Sequence, residues 1–272
     1  MTGLTGFRSP YRIARRFRHL PGIVRGVRSW PRFMWHYALG TVPRRPYVFR
    51  GGARLQLGRA VEHVAVLEVF LHGDYGPIAD GWRILDIGAS VGVFTVYAVT
   101  RARGVRVEAF EPCPESYSVL LANVAGNGAQ GRVTCHRLAV AGRRGPASLS
   151  RGTSRFVFPT LVEDPSSLAG ERVEVDCTTL DDVLAGGHSA VVDLLKMDCE
   201  GSEYDILYRA SPTALQRLRE IRMEYHQLDG ASRNGEALAA YLTAVGFTVT
   251  RLVPASPEGG LLWACRPPER LS

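Results

Sequence analysis

The feature that most constrains the fold of this chain is an apolar segment that runs directly into a glycine-rich turn. The segment reads ILDIGASVGVFT over residues 84–95, and a second apolar segment, VEAFEP, follows at residues 107–112. Both apolar runs are short enough for buried strands, and helical spacing begins after the turn. A strand, a turn, a helix and a second strand ending in a carboxylate are typical of a unit that binds a nucleoside-bearing cofactor.

The glycine spacing distinguishes between cofactors. A dinucleotide site reads G-x-G-x-x-G, whereas this chain has Asp86-x-Gly88-x-x-x-Gly92. We expect Gly88 to let the backbone turn against the ligand and Gly92 to leave room at the start of the helix, whose free N–H groups suit a carboxylate. Asp86 would accept from the ammonium of S-adenosylmethionine (SAM), directly or through water, and Glu111 would bind both ribose hydroxyls. The alternatives are a nicotinamide dinucleotide site and a purely structural turn.

Further candidates for cofactor contacts lie next to these positions. The loop HGDYGP at residues 72–77 precedes the cofactor strand, so Tyr75 could close over the ligand or simply pack. The complete set of predicted cofactor-binding residues is Tyr75, Asp86, Gly88, Ala89, Ser90, Gly92, Phe94, Glu111, Pro112, Ala139 and Asp198.

From residue 82 onward, strand and helix patterns alternate. Strands are predicted near residues 82–87, 105–110, 131–138, 191–198, 219–226, 246–253 and 260–265. Helices are predicted near residues 91–102, 115–125, 179–185, 202–209, 213–218 and 235–245. This alternation favours an α/β fold with a doubly wound, mostly parallel sheet. The last two strands face each other across Pro254 to Gly260, so we expect the terminal antiparallel strand of the Rossmann-like class I methyltransferase architecture.

The chain is predicted to have two parts. Residues 1–80 would form a basic N-terminal arm, a small hairpin over residues 47–57 with Gly51-Gly52 at its turn, and a helix from Val61 to Leu71. Residues 81–272 would form the SAM-binding domain, with an insertion at about residues 139–176. The polar loop from Arg151 to Ala169 in this insertion is a candidate lid over the site.

Charge is distributed unevenly along the chain. Residues 1–60 contain thirteen Arg and no Asp or Glu, and the remainder holds 20 basic and 26 acidic side chains. A basic amphipathic helix is predicted from Tyr11 to Leu20, ended by Pro21-Gly22. Residues 1–46 could dock the acceptor or a partner protein, contact an anionic membrane surface, or serve solubility alone. No nucleic-acid recognition module is visible, so we expect no nucleic-acid partner.

Other composition features indicate the cellular compartment. No apolar run reaches the roughly 18 residues of a membrane-spanning helix, and we expect no secretory signal. The five cysteines are scattered singly, which argues against a disulfide framework and a structural zinc site. We therefore expect a cytoplasmic protein, either free or peripheral to the inner face of a membrane.

Polar residues follow two of the later strands. Asp198 and Glu200 end an apolar run, and Glu224 and His226 alternate at the end of the next strand. The carboxyl ends of parallel strands meet at one edge of a sheet, so these side chains should form a cluster.

Two mechanisms fit this cluster. The catalytic candidates are His226, Asp198 and Glu200, of which His226 or a carboxylate would remove a hydroxyl proton. Alternatively, Asp198, Glu200 and Glu224 or His226 would bind a divalent cation, although no metal is required by the pattern. The remaining interpretation is structural, with Glu203 at a helix start and Lys196 neutralising a buried acid.

Five segments together resemble the FkbM-type family of SAM-dependent methyltransferases. They are LDIGASVG (residues 85–92), AFEPCPESY (109–117), LANV (121–124), LKMDCEGSE (195–203) and EYH (224–226). The resemblance covers about residues 60–253 and implies SAM contacts at Asp86, Gly88, Glu111 and Asp198. Ser90 stands where the family usually has Asn, and Cys199 where it usually has a β-branched residue.

The resemblance implies transfer of a methyl group from SAM to a hydroxyl of a sugar-containing or other secondary-metabolite small molecule. Methylation of an amine is one alternative, and it would need less help from a base. A second alternative is a SAM-binding scaffold or partner subunit without activity of its own. A third is a membrane-associated enzyme that methylates a glycolipid.

Overall fold

A computed structural model describes residues 19–152, 160–162, 170–186, 191–228 and 231–267, and it begins with two short helices. Helix α1 spans Leu20–Gly26 and helix α2 spans Trp30–Leu39, and each has a proline in its first turn. Proline suits that position because the N–H it lacks would have no partner within the helix. The prediction that Pro21-Gly22 ends a helix is therefore wrong, because both residues lie in the first turn of one. Residues 11–18 of the predicted helix lie outside the described residues.

The two N-terminal helices pack into the main core. Ile23, Val27 and Phe33 are fully buried and belong to the same hydrophobic cluster as Val96 and Leu194. From residue 20 onward, the basic segment is thus part of the folded core. The predicted division of the chain into residues 1–80 and residues 81–272 stays a prediction.

A small hairpin and an irregular helix follow. Strands β1 (Tyr47–Val48) and β2 (Arg54–Leu55) pair in antiparallel fashion, which confirms the predicted hairpin with shorter strands. Helix α3 (Glu62–Val66) continues into a π-helical turn over Leu67–His72, and left-handed Gly73 ends it. The helix itself was predicted, whereas its π-helical turn was not.

The first half of the central sheet is a run of βα units. Its elements are β3 (Arg83–Ile87), α4 (Val93–Arg101), β4 (Arg106–Phe110), α5 (Pro114–Gly126) and β5 (Val133–His136). Strand β3 pairs in parallel with β4, and β4 pairs in parallel with β5. These bounds confirm the predicted strands and helices of this region within about three residues.

The insertion forms a second, smaller sheet. Its strands are β6 (Ala139–Val140), β7 (Gly145–Gly152), β8 (Thr160–Val162) and β9 (Gly170–Thr178), in the spatial order β6-β9-β7-β8. Of the predicted polar loop, β7 takes the first two residues and β8 takes Thr160–Val162. Residues 153–159 and 163–169 lie outside the described residues, and the lid stays a prediction.

The second half completes the sheet. Its elements are α6 (Leu180–Gly186), β10 (Val192–Met197), α7 (Glu203–Arg209), α8 (Pro212–Gln216), β11 (Leu218–His226), α9 (Gly235–Ala244), β12 (Thr248–Ser256) and β13 (Gly259–Cys265). The predicted turn from Pro254 to Gly260 is too long, because β12 continues to Ser256 and β13 begins at Gly259.

The central sheet has the strand order β12-β13-β11-β10-β3-β4-β5. All neighbours are parallel except β13, which is antiparallel to both β11 and β12. The doubly wound, mostly parallel sheet with a terminal antiparallel strand is therefore confirmed. The chain winds outward from β3 to β5 and then returns to β10 on the other side of β3. Ligands of such sheets bind at this switch point, beyond the carboxyl ends of the strands.

No helix in the described part of the chain combines the length and the apolar character needed to cross a bilayer.

Candidate active site

The glycine-rich turn after β3 lies at the switch point. Gly88 has a φ of 74°, and a Cβ at this position would lie 1.9 Å from the backbone oxygen of Asp198. The N–H groups of Gly88 and Ala89 both donate to the Phe110 oxygen, at 3.1 and 3.0 Å. Only glycine fits here, because any side chain would meet the backbone that follows β10.

Ser90 occupies a left-handed conformation, with a φ of 51°. Its N–H donates to Glu111 Oε2 at 2.8 Å. Its Oγ is buried and has no hydrogen-bond partner among the described residues. Because an unpaired buried hydroxyl is costly, this atom is a candidate ligand contact. Gly92 follows at the N-terminus of α4, where a Cβ would lie 2.6 Å from Leu120 Cδ1.

Glu111 is oriented by backbone N–H groups at the end of β4. Its Oε2 accepts from Ser90 and its Oε1 accepts from the N–H of Cys113 at 2.8 Å. Burial raises the pKa of this carboxyl to about 7, although these two hydrogen bonds act in the opposite direction. A carboxylate has about four acceptor sites, so two remain for paired hydroxyls in the adjacent cleft.

Asp86 is fully buried and its oxygens face protein groups. Thr95 donates to Oδ2 at 2.6 Å, and Lys196 Nζ lies 3.1 Å from Oδ1. Lys196 also donates to the Gly88 oxygen at 3.0 Å. Burial lowers the pKa of Lys196, but the charges of Asp86 and Asp198 outweigh it, so the net shift is upward. The geometry supports a role of Asp86 in anchoring the turn through Lys196, and the predicted contact with an ammonium, directly or through water, stays a prediction.

These elements border a cleft of about 800 Å³, a volume that includes its opening to solvent. The predicted residues that line it are Gly88, Ser90, Glu111, Pro112, Ala139, Asp198 and Glu200. The predicted residues that do not line it are Tyr75, Asp86, Ala89, Gly92, Phe94, Glu224 and His226.

Among the lining residues that were not predicted from the sequence, two are charged, Arg59 and Glu62. Glu62 is buried, and its Oε2 accepts from the N–H groups of Gly58 and Arg59 at 2.7 and 3.0 Å. Arg59 Nε lies 3.2 Å from Glu62 Oε1. The sequence signal was an acid three residues after an arginine at the start of a helix, which is also typical of an exposed helix end.

His226, at the end of β11, lies between two carboxylates. Its Nδ1 is 3.0 Å from Glu203 Oε1, and its Nε2 is 3.3 Å from Glu200 Oε2. Burial lowers the pKa of His226, but the hydrogen bond and charge of Glu203, with the charges of Asp198 and Glu200, raise it to about 10. This surrounding makes the imidazole a cation at neutral pH, so it does not support the predicted role of His226 as a general base.

Glu203 holds the loop between β10 and α7 in place. Its Oε1 accepts from the N–H groups of Cys199 and Gly201, at 2.9 and 3.3 Å, in addition to contacting His226. Its Oε2 is buried without a partner among the described residues. The place of Glu203 at a helix start agrees with its prediction from the sequence, whereas its contact with His226 was not predicted.

The predicted acidic cluster is present, with one difference. Asp198, Glu200 and His226 each offer a ligand atom, and these atoms lie within 4.8 Å of one another. Glu224 is not part of this group. Burial and the charge of Asp198 raise the pKa of the Glu224 carboxyl to about 9. Glu200 has a left-handed backbone, with a φ of 53°.

Tyr75 is buried beside this cluster, with only 4% of its surface exposed. Its hydroxyl has no hydrogen-bond partner among the described residues, and burial with the charges of Asp198 and Glu224 raises its pKa. Arg222 donates to the Tyr75 and Pro77 oxygens at 2.6 and 2.7 Å and fixes the loop. Closure of Tyr75 over a cofactor therefore stays a prediction.

Comparison with known proteins gives a consistent result. The profile of the methyltransferase FkbM domain matches residues 86–249. The 31-O-demethyl-FK506 methyltransferase FkbM of Streptomyces tacrolimicus is 31% identical over 195 residues, which cover 61% of this chain and 72% of that protein. Methyltransferase sdnD of Sordaria araneosa is 28% identical over 195 residues, covering 62% of this chain and 74% of that protein.

A solved structure shows the same fold. The crystal structure of methyltransferase FkbM from Methylobacillus flagellatus KT superposes with a TM-score of 0.50 at 14% identity, covering 92% of this chain and 60% of that chain. The match to the FkbM domain profile and the similarity to the Streptomyces tacrolimicus relative show the enzyme class in addition to the fold. The chain therefore belongs to the FkbM family of SAM-dependent methyltransferases.

Proposed function

We propose that this enzyme methylates a hydroxyl of a small molecule, either a sugar-containing compound or another secondary metabolite. The observation that carries the proposal is the position of the cleft. Its lining combines Glu111 and Ser90 with Asp198 and Glu200. A nucleoside held by Glu111 and Ser90 would carry its reactive group into the same cleft as the two acidic side chains. We call the part lined by Glu111 and Ser90 the cofactor end and the part lined by Asp198 and Glu200 the acceptor end.

The cofactor end of the cleft fits SAM. Glu111 offers two acceptor sites for the ribose hydroxyls, and the unpartnered Ser90 Oγ offers a hydrogen bond to the ligand. Because Gly88 has no side chain, the turn can approach the backbone that follows β10 closely. SAM, when bound, supplies an electrophilic methyl group.

The acceptor end supplies groups that bind and orient a hydroxyl. Asp198 and Glu200 lie on the cleft wall and can accept its proton. His226 contacts Glu200 and Glu203 with its two nitrogens, so we assign it to holding Glu200 in place. The principal contribution expected of the chain is alignment of the acceptor oxygen with the methyl group.

One named relative supports an oxygen acceptor. The Streptomyces tacrolimicus relative is a 31-O-demethyl-FK506 methyltransferase, a name that places its methyl group on an oxygen. Identity of 31% supports a shared type of reaction. Arg59 and Glu62 also line the cleft and are candidates for contacts with the acceptor.

Methylation of an amine is the second candidate. Asp198 and Glu200 line the cleft with carboxyl groups, which would attract a cationic acceptor. An amine must lose its proton before it attacks, and a carboxylate on the cleft wall could accept that proton as well.

The test uses SAM with a ¹³C-labelled methyl group and two matched acceptor panels, one of hydroxyl compounds and one of amines. We expect O–CH₃ products, identified by their NMR chemical shift, from the hydroxyl panel alone. N–CH₃ products would replace the proposal with the amine alternative. SAM binding without transfer to either panel would indicate a SAM-binding scaffold or partner subunit.

A further inference from the structure

The acidic cluster at the acceptor end has the composition of a metal site. Asp198 and Glu200 each offer a carboxylate oxygen and His226 offers a ring nitrogen, and the three atoms lie within 4.8 Å of one another. Two carboxylates and one imidazole are a ligand set that divalent first-row metals accept. Asp198 and Glu200 lie in the loop that follows β10, and His226 ends the neighbouring strand β11. The sheet and the hydrogen bonds of Glu203 to this loop together fix their spacing.

The imidazole of His226 is oriented as a metal ligand would be. Its Nδ1 contacts the buried Glu203 carboxylate at 3.0 Å, which leaves Nε2 facing Glu200 at 3.3 Å. In metal sites, a ligating histidine almost always donates its other ring N–H to a carboxylate or carbonyl. Glu203 is itself held by the N–H groups of Cys199 and Gly201, so the orientation of the ring is fixed.

The cluster gathers four carboxyl groups, those of Asp198, Glu200, Glu203 and Glu224. Of the nearby basic groups, Lys196 and Arg59 already pair with Asp86 and Glu62. His226 gives up its ring proton to solvent when it binds a metal, because only the neutral imidazole offers a lone pair. A divalent cation would then compensate the carboxylates, whose charge is costly when it is buried and unpaired.

An independent observation also indicates a ligand. The Tyr75 hydroxyl is buried, has no partner among the described residues, and is under the influence of Asp198 and Glu224. Buried hydroxyls are nearly always hydrogen-bonded, so a group that this structure does not contain should meet it. Water or acceptor bound to a cation would be such a group.

We propose that Asp198, Glu200 and His226 bind a divalent cation, with Glu203 as the residue that positions His226. The mixed oxygen and nitrogen ligands favour Mn²⁺ over Mg²⁺ as the probe. The ion has positions left for the acceptor oxygen and water. There it would acidify the hydroxyl and hold it in line with the methyl group. This role rests on the proposed hydroxyl acceptor, whereas the binding site itself does not.

The test measures binding of Mn²⁺ to the full chain saturated with S-adenosylhomocysteine, from the loss of the EPR signal of the free ion. We expect one site per chain. Glu200→Gln, which keeps the size of the side chain and removes its charge, should weaken binding at least about tenfold, and His226→Gln should act similarly. The matched control is Glu174→Gln on exposed β9, which should leave binding unchanged.

Glu203→Gln tests the positioning role. It keeps an oxygen for the N–H groups of Cys199 and Gly201 but no longer holds His226 through a charge. We expect Mn²⁺ binding to fall about 10–100-fold, the effect seen for such supporting partners. Circular dichroism checks that each variant is folded, and Asp198→Asn serves as the further ligand variant if one is not.

Two outcomes would overturn the proposal. One is no Mn²⁺ binding at millimolar concentration by protein that binds S-adenosylhomocysteine. The other is binding that Glu200→Gln, His226→Gln and Asp198→Asn all leave unchanged. Hydroxyl methylation that persists in EDTA, together with absent Mn²⁺ binding, would reject the cation site and keep the proposed function. Site-specific Mn²⁺ binding without hydroxyl methylation would keep the cation site and reject the proposed function.

Discussion

Among single residues, Gly88 is required both by the fold and by the candidate active site. Gly88→Ala and Gly52→Ala form a matched pair, because both positions have a left-handed backbone. A Cβ at Gly52 meets nothing within 4 Å, whereas at Gly88 it meets the Asp198 oxygen. Gly52→Ala should cost about 1–2 kcal/mol, the penalty of the conformation alone.

Gly88→Ala should lower the free energy of unfolding by clearly more than Gly52→Ala and should also weaken SAM binding. Urea unfolding and calorimetric titration measure the two effects. Equal losses of stability in the two variants would show that the close approach of Gly88 to Asp198 is wrong.

Glu111 gives a prediction about pH. Its pKa is raised to about 7 by burial, so in the free enzyme it is largely protonated below that pH and ionised above it. Ribose hydroxyls donate to an ionised carboxylate, and affinity for SAM should therefore rise as the pH increases from about 6 to 8. Glu111→Gln should remove this pH dependence and weaken binding by about 1–3 kcal/mol at high pH. Calorimetric titration with SAM at about pH 6 and pH 8 measures both effects. A pH dependence of SAM affinity that is retained in Glu111→Gln would refute the role of Glu111 in binding the ribose.

The residues of the cofactor cleft could be predicted from sequence because their spacing is local. Gly88, Ser90 and Glu111 belong to one βαβ unit, and all three line the cleft. The charge of His226 could not be predicted, because it depends on Glu203 and Glu200, which come from a different element. For the same reason, the sequence did not show that Asp86 faces Lys196, whose strand β10 lies far along the chain.

Between secondary-structure elements, Lys196 of β10 forms an ion pair with Asp86 of β3, and the two residues are directly paired in these neighbouring parallel strands. Both side chains are buried. Lys196→Met would leave Asp86 as an unpaired buried charge and should cost about 3–5 kcal/mol of stability. The double variant Lys196→Met/Asp86→Asn removes that charge and should recover much of the loss, as measured by urea unfolding. A single variant that loses less than about 1 kcal/mol would contradict the buried pair.

The order of elements was predicted because buried strands read as short apolar runs between helical patterns. Strands β3, β4, β10 and β11 all fall within a residue or so of their predicted bounds. The π-helical turn at Leu67–His72 has no sequence signal, since its side chains also fit an α-helix. The extension of β12 to Ser256 was missed because its last residues are exposed and include Pro254, a residue that sheets admit at their edges.

At the scale of the whole molecule, the basic N-terminal segment is joined to the catalytic domain through shared core. Phe33 of α2 is fully buried, whereas Trp35 of the same helix is 65% exposed. Phe33→Ala should lower the free energy of unfolding by about 3–5 kcal/mol, the usual cost of such a cavity. Trp35→Ala should change it by no more than about 0.5 kcal/mol.

Guanidinium unfolding of the full chain compares the two variants. A single cooperative transition, shifted by Phe33→Ala alone, would show that α2 and the central sheet unfold together. An unshifted main transition in Phe33→Ala would mean that the segment is separable, as the predicted boundary at residue 80 implies.

The cleft between Glu111 and the Asp198–Glu200–His226 cluster should hold SAM with its methyl group toward the cluster. A crystal structure with S-adenosylhomocysteine and Mn²⁺ would show where the cofactor lies. We expect the ribose hydroxyls on Glu111, the sulfur facing Asp198, and the metal on Asp198, Glu200 and His226. A ribose bound away from Glu111, or a sulfur pointing away from Asp198, would rule out this placement.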